Sequence, residues 1–483
     1  MHVPIVPSRF HAPGLLPSLR RGRFWTRLGQ PMTGELAPGW KTSTLGEVCA
    51  FLNRGSSPKY LDEGGVCVLG QRCVRNHRID YRPSRRHDVR AKAVGAGRFV
   101  EIGDVLVNST GVGSLGRVAQ VRDTPPEPTT VDSHVTIVRP IPGMFFADFF
   151  GYMLMVIEDA ITDAGEGCGG QTELGRRVLA ERFSVRYPKS LDEQQRIAGI
   201  LDEAFEGIAM ARENAEKNLR NARALSETAL TAAVGGALTA DWRRTSRTSA
   251  GACRPLSDER SWRGRETRAR EPRRPVVDRP VEMPDSWALA TPEAIATHIV
   301  DCPHSTPRWT HSGVACLRTT NFRAGFLDLE SLRFVSEETY QERIARLEPE
   351  PGDVLYSREG GILGLACIMP PSFKACLGQR MMQLRLDSLV VLPEYFASVL
   401  NSSLILSQVT RLTGGAAAPH LNIRDIKAFP IPLPPLSEQR VIVAMLARVN
   451  AEIQRLEVAY RRKLAALDEL KRSLLHQACS GQL

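Results

Sequence analysis

The sequence predicts an α+β fold with an internal tandem duplication: two globular domains joined by an antiparallel two-helix coiled coil and related by pseudo-twofold symmetry. Three observations support this prediction. Short motifs recur in the same order about 245 residues further along the chain. Each copy ends in a long stretch with heptad spacing of apolar residues. The remainder of each copy mixes short β-rich runs with Gly/Pro turns.

Four pairs of motifs define the duplication. The clearest is Gly-Asp-Val-Leu, which occurs at Gly103–Leu106 and again at Gly352–Leu355. A period this long excludes a solenoid, whose repeats are far shorter. The shared order indicates that one ancestral unit was copied. The other three pairs are 148–150 with 394–396, 194–197 with 438–441, and 236–238 with 481–483.

The long stretch at the end of each copy has the apolar spacing of a coiled coil. Steps of three and four residues run from Ile197 to Ala229, and they run with one gap of seven from Ile442 to Leu474. About 41 residues at 1.5 Å each give helices of roughly 60 Å. A single apolar seam needs a partner, and the nearest one is the other copy, which predicts antiparallel pairing. The alternative is that each helix packs on another subunit.

Local signals predict where these helices begin and end, and which segments before them are strands. Ser190 with Glu193 forms a capping box, and glycines at 235–236 and 481 mark the two helix ends. Val105–Val107 and 135–138 are predicted strands, and 145–160 is a predicted helix.

Residues 111–116 match G-x-G-x-x-G, but a dinucleotide site needs a helix next. The following residues, Arg117–Val121, are typical of a strand, and the second copy lacks the pattern. A Gly-rich hairpin turn is therefore the favoured interpretation. An enzyme that binds a cofactor at this turn is the alternative.

Composition excludes several classes of protein. The longest apolar stretch, Phe145–Ile157, has about 13 residues where a membrane span needs about 20. No secretory signal is recognisable. None of the ten cysteines has C-x-x-C spacing, which argues against a zinc site and favours a reducing compartment, the cytoplasm.

The net charge of +10 is concentrated in two Arg-rich stretches, residues 1–31 and 241–283. The rest is formally neutral, so the net charge does not by itself indicate DNA binding.

The motif search predicts no catalytic residue and no metal site, since P-loop, G-x-S-x-G and H-E-x-x-H patterns are absent. Polar residues in predicted loops are better candidates for contacts with DNA. Arginine can bind guanine, Asn or Gln can bind adenine, and Ser or Thr can bind either base, although ordinary solvated loops contain the same residues. The candidates are Arg54, Ser57, Lys59, Gln71, Arg72, Asn108, Ser109, Arg117 and Gln171 in the first copy, and His304, Arg308, Asn321, Ser357, Arg358, Gln379 and Arg380 in the second.

One segment identifies a family. Pro430–Arg440, which leads into the second long helix, resembles the conserved-region signature of the specificity subunit of Type I restriction-modification systems. Gly39–Trp40, the Gly-Asp-Val-Leu strand in both copies, and His420–Ile423 agree with it. The resemblance covers about 37–240 and 284–483.

The resemblance implies a function without catalysis in this chain. Two target recognition domains would each read one half of a bipartite target on double-stranded DNA. The two helices would fix the spacing of the halves and dock two copies of a modification (methyltransferase) subunit. A restriction subunit, an ATP-dependent translocase and endonuclease, would complete the complex. S-adenosylmethionine, ATP and Mg would bind to these partners and none to this chain. The alternatives are a coiled-coil scaffold that binds no DNA and a DNA-binding subunit of another defence system without restriction activity.

The resemblance also implies domain boundaries. Residues 1–31 are surplus to the family pattern, either as an unfolded arm or because translation starts at Met32. The first Pro-rich segment, 185–194, has two extra residues compared with the second, which weakens the expectation of partner docking there. The expected order is extension 1–36, target recognition domain 37–188, long helix 189–238, Arg-rich and unfolded linker 239–283, target recognition domain 284–432 and long helix 433–483.

Overall fold

The structure is a computed structural model that describes residues 37–168, 171–249, 282–414 and 419–483, with the backbone alone at 166–168, 171–172 and 247–249. The chain folds into two compact units. Unit 1 comprises Met1–Asn214 with Lys463–Leu483, and unit 2 comprises Ala215–Arg462. Because both boundaries fall inside the two long helices, each unit contains a part of each helix. No helix in the described ranges is long and apolar enough to cross a membrane.

The elements of the first half alternate short strands with a few helices. Its helices are α1 (Leu45–Val48), α2 (Ala147–Val156), α3 (Glu158–Asp163), α4 (Arg176–Arg182) and the long α5 (Leu191–Val234). Its strands are β1 (Trp40–Thr44), β2 (Cys49–Arg54), β3 (Tyr60–Leu61), β4 (Val66–Leu69), β5 (Val74–Arg75), β6 (Arg78–Ile79), β7 (Arg85–His87), β8 (Val105–Asn108), β9 (Val118–Gln120), β10 (Thr129–Val131), β11 (Val135–Pro140), β12 (Glu166–Cys168), β13 (Gln171–Glu173) and β14 (Ser184–Pro188).

The second half repeats this order with additions. Its helices are α6 (Ala240–Ser249), α7 (Pro292–Ile295), α8 (Glu337–Ile344), α9 (Pro393–Leu400), α10 (Ser403–Thr413), α11 (Ile423–Lys427) and the long α12 (Leu436–Ser480). Its strands are β15 (Ala288–Ala290), β16 (Ala296–Asp301), β17 (Trp309–Thr310), β18 (Val314–Leu317), β19 (Phe322–Arg323), β20 (Phe326–Leu327), β21 (Arg333–Val335), β22 (Val354–Ser357), β23 (Ala366–Ile368), β24 (Ala375–Leu377), β25 (Met381–Leu386) and β26 (Ile431–Leu433).

Sheet topology confirms the duplication. Unit 1 has four-stranded sheets in the orders β2-β11-β8-β9 and β10-β4-β7-β3, and unit 2 has β16-β25-β22-β23 and β17-β21-β18-β24. The predicted strands at 105–107 and 135–138 are β8 and β11. The α+β fold class is also confirmed.

The Val-Leu strand of each copy lies inside a sheet with both faces buried. Val105 and Val107 of β8 contribute to a core with α2, whereas Leu106 faces the opposite core. In unit 2, Val354 and Leu355 divide in the same way between two cores. Successive strand residues point to opposite faces, so a continuous apolar run is what a strand between two cores requires.

The aspartate of the Gly-Asp-Val-Leu motif anchors the turn before this strand. Asp104 Oδ1 accepts a 2.7 Å hydrogen bond from Arg139 Nε, and Asp353 Oδ1 accepts one of 2.9 Å from Arg385 Nε. Both aspartates are almost fully buried. Each arginine projects from the neighbouring strand, β11 or β25, so the ion pair fixes the strand pairing on which the sheet depends.

A glutamine in the first turn of each long helix joins that helix to the globular part. Gln194 Oε1 accepts from Phe146 N and Gln439 Oε1 from Leu392 N, both at 2.8 Å. These bonds make Gln194 equivalent to Gln439, which corrects the sequence pairing of Gln194 with Glu438 by one residue. The amides donate to Pro188 O, six residues back, and to Pro434 O, five residues back. The first Pro-rich segment is therefore one residue longer than the second. The expectation of two extra residues is wrong.

The two long helices run antiparallel within each unit, as predicted. In unit 1, Arg212 Nη1 pairs with Asp468 Oδ1. In unit 2, Arg223 Nε lies 3.1 Å from Glu457 Oε1, and Ser226 Oγ lies 3.3 Å from Asn450 Oδ1. Residue numbers rise along α5 while those of their partners fall along α12, which defines an antiparallel pair.

The helix ends also follow the sequence signals. Ser190 Oγ accepts from Glu193 N at 3.4 Å, and α5 and α12 end just before glycines with positive φ, Gly236 at 80° and Gly481 at 75°. A Cβ at Gly236 would lie 2.5 Å from Pro284 Cγ and 3.3 Å from the Trp287 ring. A Cβ at Gly481 would lie 2.9 Å from Ala37 Cβ and 3.2 Å from the Trp40 ring. The tight packing requires glycine at both ends.

Two segments differ from expectation. The predicted helix over 145–160 is divided at Ile157 into α2 and α3. Residues 240–249, expected in an unfolded linker, form α6 because Arg243 and Thr239 both bond to the buried carboxylate of Glu438. The predicted extension 1–36 and most of the Arg-rich linker, 250–281, lie outside the described residues.

We expect Asp104→Ala to lower the free energy of unfolding of unit 1 by about 3 kcal/mol, because it leaves the Arg139 guanidinium without its buried partner. Glu181→Ala, which removes an exposed pair with Arg177, should cost less than about 0.5 kcal/mol. Urea unfolding of the full chain measures both. Equal effects would contradict the anchoring role of Asp104.

Arg243→Ala should release α6, since it removes the cation that bonds to Glu438 and to Gly236 O. Hydrogen exchange of backbone amides in 240–249 should accelerate about tenfold, the equivalent of one lost charged hydrogen bond. Arg244→Ala is the matched control, because the Arg244 side chain is 76% exposed and pairs with exposed Asp241. Unchanged exchange in Arg243→Ala would refute the anchor.

Candidate nucleic-acid interface

The same edge of the same sheet carries polar residues in both units. In unit 1, β11 pairs with β2 and β8 so that Arg54 lies opposite Thr136 and Asn108 lies opposite Val135. In unit 2, β25 pairs with β16 and β22 so that Asp301 lies opposite Met382 and Ser357 lies opposite Met381. The loops that continue from these strand ends therefore meet at one edge in each unit.

A hydrogen-bonded group occupies this edge in unit 1. Gln71 Nε2 donates to Thr110 Oγ1 at 2.9 Å, and Thr110 Oγ1 lies 2.7 Å from Nδ1 of the exposed His134. Ser114 Oγ donates to Gln71 Oε1 at 2.9 Å. Asp132, whose carboxylate accepts from His134 N at 2.8 Å, has its pKa raised because it is buried. His134 was not among the sequence candidates.

The Gly-rich turn after β8 is explained by this group. Gly111 has a φ of 102°, and a Cβ there would lie 2.3 Å from Gln71 Oε1 and 2.5 Å from Ser114 Oγ. The turn leads directly into β9, as predicted for a hairpin. The glycine is needed for close packing of side chains, which requires no bound phosphate.

Two arginines of unit 1 near this edge have internal partners. Arg54 Nη1 lies 2.6 Å from Glu173 Oε1, and its Nη2 donates to Leu174 O. Arg117 Nη2 donates to Gly113 O at 2.6 Å. Contact with a phosphate would have to compete with these partners.

In unit 2, a buried ion pair lies next to the exposed residues of the edge. Arg358, with a side chain 8% exposed, donates through Nε and Nη2 to the two carboxylate oxygens of Asp301, both at 2.9 Å. His304 Nε2 also lies 2.9 Å from Asp301 Oδ2, and Gln379 Nε2 donates to His304 O. Arg380 is exposed and has a φ of 70°. His304, Gln379 and Arg380 therefore form the accessible part of this edge.

Five sequence candidates are buried and hydrogen-bonded internally, which favours structural roles over contact with bases. Asn108 Nδ2 donates to Gln71 O, and Asn321 Oδ1 accepts from Arg318 N. Contact with DNA would require these bonds to break, at a cost of about 1–3 kcal/mol each. The five residues are Asn108, Ser109, Asn321, Ser357 and Arg358.

The remaining candidates do not take part in the two hydrogen-bonded groups at the sheet edges. Ser57 and Lys59 lie in the segment before β3, where Lys59 N donates to His87 Nδ1. Arg72 is exposed next to Gln71, and Arg308 pairs with Glu342 at 2.9 Å. Gln171 is in β13, and its side chain lies outside the described ones. In the described parts of the chain, no group of three or more His, Cys, Asp or Glu side chains could hold a metal ion.

The two units therefore carry corresponding polar edges, and each contains a part of both long helices. Comparison with known proteins shows what the chain resembles. Residues 329–459 match the family model described as Type I restriction modification DNA specificity domain. The resemblance inferred from the sequence is thereby confirmed.

Curated relatives carry the same description. The chain is 27% identical over 201 residues to the EcoKI specificity subunit of Escherichia coli (strain K12), a match covering 40% of this chain and 42% of that protein. It is 24% identical over 171 residues to the EcoBI specificity subunit of Escherichia coli, covering 35% and 36%. The chain thus matches less than half the length of these relatives.

Solved structures share the fold over almost the whole chain. One, described as the structural basis of complex assembly and conformational transition of the type I R-M system, has a TM-score of 0.66 at 18% identity and covers 93% of this chain and 100% of that chain. The HsdS subunit from Thermoanaerobacter tengcongensis has a TM-score of 0.51 at 19% identity, with coverage of 94% and 99%. These matches confirm the predicted fold.

Gly111→Ala should lower the free energy of unfolding of unit 1 by about 2–3 kcal/mol, because its Cβ would clash with Gln71 and its φ is positive. Gly113→Ala is the matched control, since it has a φ of 73° but nothing within 4 Å of the new Cβ. It should cost only about 1–2 kcal/mol for the left-handed backbone. Urea unfolding distinguishes them, and equal losses would contradict the packing explanation.

Proposed function

We propose that this chain is the non-catalytic DNA-sequence-specificity subunit of a Type I restriction-modification complex. Each unit reads one half of a bipartite target through its polar sheet edge. The long helices fix the separation of the two halves and dock the modification subunits. The family match supports the class of protein, and the geometry of the two units supports this division of labour.

The observation that carries the proposal is that corresponding edges bear different side chains. Unit 1 presents Gln71 and His134, whereas unit 2 presents His304, Gln379 and Arg380. Side chains that bond to base edges differ in the bases they select. Two different sets on one duplicated backbone therefore favour two different half-sites and an asymmetric target.

The internal ion pairs give these edges their rigidity. Asp301 holds Arg358 and His304 together, and Glu173 holds Arg54. A contact that is already positioned loses less side-chain entropy when it binds. We assign Arg358 and Asp301 positioning roles, with base contacts made by the exposed residues beside them.

The helices supply the spacing. A helix of 44 residues, the length of α5, is about 66 Å long at 1.5 Å per residue. Since base pairs rise 3.4 Å along each strand, this length corresponds to at most about 19 base pairs between the outer contacts.

Two modification subunits dock on the helices and use S-adenosylmethionine to methylate adenine. A restriction subunit adds ATP- and Mg-dependent translocation and cleavage, and this chain binds no cofactor. We expect the complex to work in the cytoplasm.

Methylated-base mapping of the host genome, with and without this gene, tests the function. Loss of methylation at one bipartite, asymmetric motif would establish the role and identify the target. A scaffold that binds no DNA, or a subunit of another defence system, would leave the methylation pattern unchanged and would not co-purify with a methyltransferase subunit.

Arg380→Ala should relax the preferred base in one half-site alone, and His134→Ala should do so in the other half-site alone. Each lost base contact should reduce discrimination by about 1–3 kcal/mol, which is roughly 10- to 100-fold. Methylome sequencing of strains that carry each variant measures the effect.

Arg177→Ala, on the exposed face of α4, is the control and should leave both halves unchanged. If either edge variant relaxed both halves together, the assignment of one half-site to each unit would be wrong.

A further inference from the structure

Two cysteines lie opposite each other in a sheet of unit 2. Strands β18 and β24 run parallel, and Cys316 is the Cα partner of Cys376. Neighbouring strands are separated by about 4.7–4.9 Å, which lies inside the Cα separation of about 4.4–6.8 Å that a disulfide requires. Both residues are free thiols and fully buried. Because paired residues project from the same face, their side chains are already adjacent.

The surroundings make the two thiols chemically unequal. A hydrogen bond from Cys316 lowers the pKa of the Cys376 thiol; burial opposes this, and the nearby Arg343 guanidinium lowers that pKa further. The same hydrogen bond, together with burial, raises the pKa of Cys316. Cys376 is therefore the better nucleophile, and Cys316 is placed to resolve any adduct formed on it.

The fold does not require this pair. In the corresponding strands of unit 1, β4 and β10, the Cα partners at this register are Val68 and Thr130. Unit 1 has two buried cysteines in one core, Cys67 and Cys73, but they are not strand partners. The paired thiols are thus specific to unit 2.

The dithiol is connected to the polar edge of unit 2. β24 is the outer strand of its sheet, and the chain continues from it directly to Gln379 and Arg380. Arg343 of α8 donates to Leu377 O at 2.7 Å and to Gly378 O at 2.8 Å. A shift of β24 would therefore move the carbonyls on which the position of this loop depends. A small cavity lined by Cys302, Arg343 and Leu377 can admit roughly a water-sized molecule. The dithiol does not line this cavity, and Arg343 is the residue that the two share as a neighbour.

We propose that Cys316 and Cys376 are a reversible modification site that closes to a disulfide when a small neutral hydroperoxide reaches it, and that closure alters target reading by unit 2. The Cys376 thiolate attacks one oxygen of hydrogen peroxide and breaks the O–O bond, which gives a sulfenic acid and hydroxide. Cys316 then attacks the Cys376 sulfur and displaces the sulfenic-acid oxygen, which leaves as water. Overall, two thiols and one peroxide give one disulfide and two waters. A dithiol reductant reverses the step.

The chemical part is tested first, on the full chain treated with hydrogen peroxide. We expect one cross-linked peptide that joins Cys316 to Cys376 and that dithiothreitol separates again. Either Cys316→Val alone or Cys376→Thr alone should prevent the cross-link. In Cys316→Val, which loses the hydrogen bond between the thiols, a sulfenic-acid probe should still label Cys376, because Arg343 continues to lower the pKa of that thiol. A bridge to Cys302, or oxidation of Cys67 and Cys73 at the same rate, would overturn the proposal.

The consequence for DNA rests on the proposed function and has its own measurement. The full chain, with its modification subunit, selects from duplexes with a random 30-base-pair core, before and after peroxide treatment. We expect oxidation to reduce selectivity at one half-site about tenfold and to leave the other unchanged. The double variant Cys316→Val with Cys376→Thr, which copies the unit 1 pair, should be insensitive to peroxide, and Cys367→Ala should respond like the wild type.

The outcomes separate the two proposals. If no sequence is selected even by the reduced protein, the proposed function fails while the cross-link remains a valid result. If selection occurs and the cross-link forms but selectivity is unchanged, the inferred regulation is wrong. If no cross-link forms at all, the modification site is wrong, whatever DNA the protein selects.

Discussion

In both units, a fully buried glutamine in the first turn of a long helix joins that helix to the globular domain. Gln194 and Gln439 each accept from the residue that precedes a domain helix, and each donates to a proline carbonyl, that of Pro188 at the end of β14 or that of Pro434 just after β26. A buried amide with unmet hydrogen bonds would cost about 1–3 kcal/mol per group, so the three segments hold one another in place. Domain orientation within a unit depends on this contact.

The duplicated backbone carries equivalent anchors but different edges. Asp104 and Asp353 hold the same strand pairing through the same type of ion pair, and Gly236 and Gly481 pack against equivalent tryptophans. The polar residues at the sheet edges and the buried dithiol are not shared. This pattern agrees with the proposed function, in which the two halves keep one geometry while they recognise different sequences. Additions such as α6 and α8 occur where one copy has acquired contacts that the other lacks.

The sequence by itself determined the duplication, the two long heptad helices and the α+β class, and it favoured antiparallel pairing of the helices over packing on another subunit. Each of these depends on periodicity or local chemistry: the heptad spacing, the glycines at 236 and 481, and the apolar run of β8. The family resemblance also came from local motifs. The sequence did not predict α6, because that helix is stabilised by a contact between Arg243 and Glu438, which lie far apart in the chain.

Only the tertiary structure decided which polar candidates are accessible. Asn108, Asn321 and Ser357 have the residue types of base contacts, yet the fold uses them internally, whereas exposed His134 carried no signal. The pairing of Cys316 with Cys376 likewise depends on strand register over a separation that no local pattern records. Residue type states what a side chain can bond to, and the three-dimensional packing of distant segments decides what it does bond to.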